Sequence, residues 1–178
     1  MSFQDYRFHF WAADDGRVFD SERALITDTN HPPFKTVVEK GWMPTVWPRD
    51  DDGKHTNAMM QLVMSTWFID VNLFYYTARK RQQFEERGFT TKKGIAVKGD
   101  DRTLTLALTL RIAAQNGTPV QWHASDGKVY ALDEAGMLGV SDAIAARIAD
   151  SYQRSADVLA KVDSGEITER RQVDEAFA

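Results

Sequence analysis

The chain has 178 residues, enough to bury one core or to hold two small units joined by a helix, and its 43% hydrophobic and 27% charged content excludes a disordered or collagen-like polymer. Lys and Arg number 22 against 26 Asp and Glu, so the formal charge of -4 offers no attractive field to nucleic acid or an anionic membrane. Cysteine is absent, which excludes disulfides, zinc thiolates and thiol catalysis.

Met1 to Trp11 mixes Gln4, Asp5, Arg7 and His9 among apolar residues and lacks the continuous apolar core of a signal peptide, so synthesis and folding in the cytoplasm are expected. From Tyr6 to Trp11 apolar and polar residues alternate, and Asp14-Asp15-Gly16 supplies a turn before Val18 and Phe19, which predicts a β-hairpin. Ala24 to Thr27 supplies a third short strand. After His31-Pro32-Pro33, Phe34, Val37 and Val38 recur at helical spacing up to Gly41. The prolines at 44 and 48 deny Trp42 to Pro48 a regular interior, and both tryptophans are expected to pack this extended arm onto the small domain. Asp50 to Gly53 reads as an exposed loop.

Thr56 is a candidate N-cap for a long helix, because Met59, Val63, Trp67, Val71, Phe74 and Ala78 repeat at four and three, with one break near Thr66 to Asn72. The stretch from Met59 to Tyr76 is interrupted by Gln61, Asp70 and Asn72, so it reads as a buried helix and not as a membrane span of about 20 apolar residues. Its aromatics on more than one face point to burial, Trp67 in the core included, or to a subunit contact. Gly88 to Gly99, with Ile95 and Val97 alternating against charged neighbours, predicts a small β-arm. Asp100-Asp101 caps a helix to about Gln115, ended by Asn116-Gly117. Val120 and Trp122 pair with Val129 and Ala131 across Asp126-Gly127. Asp133 caps a last long helix with a seam of Met137, Ser141, Ile144, Ile148, Ser151, Ser155, Leu159 and Val162; about 30 residues at 1.5 Å each make about 45 Å, long enough to reach a partner. After Ser164-Gly165, Thr168, Glu169 and Glu175 mark a short helix that docks back through Val173 and Phe177.

Residues that could carry chemistry have simpler readings. His9, His31, His55 and His123 are scattered, with none at metal-ligand spacing. If Gly53 took the sixth place of a calcium loop, Pro48 would be first and Met59 last, so Asp50-Asp51-Asp52 reads as a solvated turn. Asp100-Asp101-Arg102 is explained by capping. Arg79-Lys80-Arg81, Arg87 and Lys92-Lys93 are interleaved with Glu85 and Glu86, which describes a solvated face and not a phosphate site. No cofactor, metal ligand or catalytic residue is assigned. The candidate partner-binding residues are Trp42, Trp47, Trp67, Phe74 and Tyr75, since tryptophan and other aromatics serve interfaces as well as cores. A small hydrolase or sugar-binding module built from Trp122, His123 and Asp126 is the reading from another class.

The second half, with Arg79 to Arg87, Gly88-Phe89, Gly94, Asp100-Asp101-Arg102, Gly117, Trp122, Asp126-Gly127, Val129, Leu132, the helix to Val162, Gly165, Ile167-Thr168, Val173-Asp174 and Ala176-Phe177, resembles a domain-of-unknown-function family of phages and prophages often encoded beside tail-fibre genes. Tyr6-Arg7-Phe8, Gly16-Arg17-Val18-Phe19 and Pro44 through Pro48-Arg49-Asp50 are similar to the N-terminal region that some members carry. The resemblance implies a non-enzymatic tail component of the virion, in baseplate or fibre attachment, made in the host cytoplasm. A tail-fibre assembly chaperone is the alternative. The expected partners are other tail or fibre proteins and a second copy through the helices, with no nucleic acid and no membrane. The expected fold is α+β, with a small β-containing domain at 1–53, a connecting helical segment at 54–87 and an α+β domain with a long helix at 88–178.

Overall fold

A computed structural model describes residues 10–178. The fold is α+β, and the described chain forms two compact units, Met1–Tyr76 and Thr77–Ala178. The predicted start of the first strand, Tyr6 to His9, lies outside the described residues.

In the first unit, β1 (Phe10–Ala12) and β2 (Arg17–Asp20) form the predicted hairpin, with Trp11 opposite Phe19 and Gly16 at φ +87° in the turn. β3 (Leu25–Asp28) pairs with β2, and α1 (Pro32–Glu39) follows. Phe34 of α1 meets Phe10 edge to face at 5.5 Å, covering one side of the sheet. The arm after α1 departs from expectation. Thr45–Val46 forms a short strand, β4, parallel to β1, giving the order β3-β2-β1-β4. The prolines sit on either side of these two residues at the sheet edge, where a missing N–H costs no ladder bond. Only one tryptophan packs inward: Trp47 is fully buried and donates Nε1–H to Thr56 O at 2.9 Å, whereas Trp42 is half exposed.

The long helix is two helices, α2 (Asn57–Ser65) and α3 (Leu73–Glu86), parted where the break was expected. Thr56 caps α2 by accepting from Met59 N at 3.2 Å. Met60 and Met64, one turn apart, seal a core with Trp11, Phe19, Trp47 and Val71. Trp67 is only partly buried at the border of this core, so the fully buried tryptophan here is Trp47. The three expected segments do not appear as such: the units part within α3, because α2 fills the core of the first unit and the later turns of α3 belong to the second.

The second unit has a short hairpin, β5 (Phe89–Thr90) with β6 (Ala96–Val97), then α4 (Asp101–Ala114), capped by Asp100. A second hairpin, β7 (Val120–His123) with β8 (Val129–Leu132), sets Trp122 opposite Tyr130 and Gln121 opposite Ala131. The predicted cross-strand partners are thus shifted by one residue. α5 (Glu134–Asp163) is capped by Asp133, and α6 (Arg170–Ala176) follows, its Gln172 side chain accepting from Thr168 and Glu169 N–H. Ile95, Val97, Ala107, Trp122, Met137, Val140 and Ile144 make the core. Late in α5 the buried position is Val158, not Leu159 or Val162: Met137, Ile144, Ser151 and Val158 keep an unbroken seven-residue spacing, from which Leu159 departs by one.

A polar knot joins α3 to α5. Glu85, buried on α3, accepts from Arg81 and from Ser151 Oγ, while the Arg147 guanidinium lies 3.2 Å from the Phe84 ring centroid. Gly99 fits beside them because its N–H donates to Glu85 O at 2.8 Å and an added Cβ would lie 2.4 Å from Arg147 Cγ. Phe84 also meets Phe177 edge to face at 6.0 Å, which is how the chain end docks back.

Candidate contact surface

From Asn57 to Tyr76 the only charged residue is Asp70, and it is buried. Every exposed side chain on α2, on the connection and on the first turn of α3 is therefore uncharged. Depletion of charge with enrichment in aromatics and methionine is the composition of an interface core.

Local hydrogen bonds fix the connection. Ser65 and Thr66 turn their hydroxyls back to Leu62 O and Val63 O at 2.8 Å each, which competes with further helix. Phe68 N then donates to Ser65 O at 3.1 Å and Ile69 N to Met64 O at 3.1 Å, the paired bonds of a Schellman helix end. In that motif the residue at Phe68's place is left-handed and usually glycine. Phe68 adopts it at φ +58°, with 86% of its surface exposed. A bulky residue there costs roughly 1–2 kcal/mol, and this side chain recovers none of that by burial within the fold. Gln61 clasps the segment, Nε2 donating to Ile69 O at 3.1 Å and Oε1 accepting from Val71 N at 2.8 Å. Asn72 Oδ1 accepts from Tyr75 N at 3.2 Å and starts α3.

Of the sequence candidates, Trp67, Phe74 and Tyr75 share this helix–turn–helix. Phe74 is 46% exposed, while Trp67 and Tyr75 are partly buried supports against the core. Trp47 is not available to a partner. Trp42 is exposed on the arm beside Met43, at 92% the most exposed apolar side chain of that stretch. Leu62 and Phe68 were missed; the charge-free run and a helix end without glycine were the signals.

The polar groups serve local structure. Asp20 is buried and accepts from Glu22 N, Arg23 N, Arg23 Nη1 and His31 Nε2. Burial works to raise its pKa, yet the bonds from Arg23 and His31 outweigh burial and hold the carboxyl below the usual range. His55 Nδ1 donates to Trp47 O at 2.7 Å, and its Nε2 lies 3.4 Å from Asp14, which also pairs with Arg49. Trp122 is buried whereas His123 points to the opposite, exposed face of β7, and Asp126 is bonded to Lys128 N in the solvent-facing turn. Those three residues do not converge in a pocket. Among the described residues no three His, Asp or Glu side chains gather as metal ligands.

A family model described as "Domain of unknown function (DUF4376)" matches residues 71–177, more than half of the chain. The chain belongs to this family. The DUF4376 segment takes in the whole second unit but for its last residue, together with Val71 to Tyr76 at the end of the first. Most of the contact surface, Leu62 and Phe68 included, thus lies upstream of the DUF4376 match. No curated protein and no solved structure matches the chain.

Proposed function

We propose that this chain is a structural component of a bacteriophage tail, attached at the baseplate or fibre through protein contacts, with Phe68, Leu62 and Phe74 as anchors. The observation that carries the contact role is Phe68: a left-handed, solvent-exposed aromatic in a glycine position is unfavourable in the isolated chain and becomes useful when a neighbour covers it. The tail setting rests on the resemblance of the second half to the phage and prophage family found beside tail-fibre genes.

The test is a mass-spectrometric inventory of purified virions of the encoding phage, made with wild type and with Phe68→Ser. Wild type is expected at a fixed ratio to known tail proteins. Phe68→Ser is expected to accumulate as folded protein but to be depleted from particles. Absence of the wild-type chain from virions, with the chain bound to newly made fibre instead, would replace this reading by that of an assembly chaperone.

A further inference from the structure

We propose that the second unit pairs with a second copy of itself, through the groove between the β5–β6 hairpin and the first half of α5. The groove holds about 370 Å³ and is lined by Ile95, Val140 and the small residues Gly136, Gly139, Ala143 and Ala146. Lys92 and Lys93 border it from the hairpin turn and Asp142 from the helix, all three exposed. None of these three side chains makes an ion pair or a hydrogen bond with another described residue. Other charges of the unit do find partners, as in Lys80–Asp174, Lys128–Asp126 and Arg154–Asp150.

Unpaired charges of opposite sign facing one another across an apolar groove make a self-complementary surface. A two-fold interface uses the same patch twice, so that a contact from residue i to residue j is repeated from j to i. Two α5 helices set antiparallel about the Gly139–Ala143 stretch bring Gly139 of one copy against Ala143 of the other. A Cβ built on Gly139 would meet only Lys93 Cε, at 4.0 Å, so space above this glycine is open and Lys93 stands beside it. In the pair, Lys93 then faces Asp142 of the second copy, and the symmetric contact forms at the same time. Small residues let the backbones approach, and antiparallel helix dipoles add no repulsion. A polyanion or an acidic peptide would satisfy the lysines but not Asp142; a second copy satisfies both.

Sedimentation velocity of the full chain over a concentration series tests this directly. Wild type is expected to show a monomer–dimer equilibrium that weakens with salt. Asp142→Lys alone, or Lys92→Glu with Lys93→Glu, turns two symmetric attractions into repulsions and should loosen the dimer about tenfold or more. Combining the three substitutions restores the charge match and should recover most of the affinity, which loss of structure would not. Gly139→Leu should abolish the dimer with the helical circular dichroism intact. A chain that stays monomeric at its highest soluble concentration overturns the proposal. So does a dimer indifferent to Asp142→Lys, or one that yields to Phe68→Ser instead; the latter would assign self-association to the surface of the first unit.

Discussion

Replacing Trp47 and Trp67 separately by alanine asks which tryptophan holds the first unit together. Trp47 is fully buried, donates to Thr56 O at 2.9 Å, lies edge-on to Phe19 at 6.4 Å and has the Arg17 guanidinium 4.9 Å from its ring. Truncating such a ring costs about 3–5 kcal/mol. The lost hydrogen bond and cation–π contact, about 1 kcal/mol each and not strictly additive, place Trp47→Ala near the top of that range. Trp67 is partly buried and makes no such polar contacts, so about three quarters of an aromatic surface of roughly 200 Å² is at stake, or about 3–4 kcal/mol at about 25 cal/mol per Å². Urea unfolding followed by tryptophan fluorescence reads this unit selectively, because Trp11, Trp42, Trp47 and Trp67 belong to it and Trp122 does not. Trp47→Phe, which keeps a ring and loses the donor, should fall between wild type and alanine if Trp47→Ala proves too unstable to measure. An equal or larger loss from Trp67→Ala would refute the assignment of the core.

Phe68→Gly should raise stability by roughly 1 kcal/mol in the same titration, since glycine accepts the left-handed conformation, while lowering incorporation into particles; a loss of stability would mean the ring packs within the fold. Gly99→Ala should cost about 1–3 kcal/mol, read by thermal denaturation, because its Cβ must displace the inner part of an Arg147 side chain pinned over Phe84; no change would show that the knot yields freely. The Asp20 carboxyl is held below its unfolded pKa, so its contribution is present above about pH 4 and is lost as pH falls through the folded value. Asp20→Asn should flatten that acid limb in a pH series of unfolding curves, and an unchanged limb would assign it to other groups.

Local chemistry made much of the fold legible. Thr56, Asp100 and Asp133 cap the helices where a short polar side chain precedes a periodic run, and the turn glycines 16, 94, 117, 127 and 165 all take positive φ. Features set by distant partners were not legible in this way. The pairing of β4 with β1 joins residues more than thirty positions apart and rests on backbone geometry that two prolines disguise. Which of Trp42 and Trp47 joins Trp11 in the core depends on where that strand lands. The candidate site was half visible: aromatic content drew attention to Trp67, Phe74 and Tyr75, but hydrophobic spacing treats Phe68 as one more helical residue and cannot register its reversed φ.

Gln61 has a consequence for how any neighbour could recognise the connection between α2 and α3. Its amide bonds to the carbonyl before Asp70 and to the N–H after it, the two groups that a residue on an adjacent parallel strand would engage. One side chain thus acts as a sheet a single residue wide, and it leaves those main-chain groups no free edge for an incoming strand to extend. Recognition at this bend must be written in side chains, so it can be altered one residue at a time without redrawing the backbone that presents them.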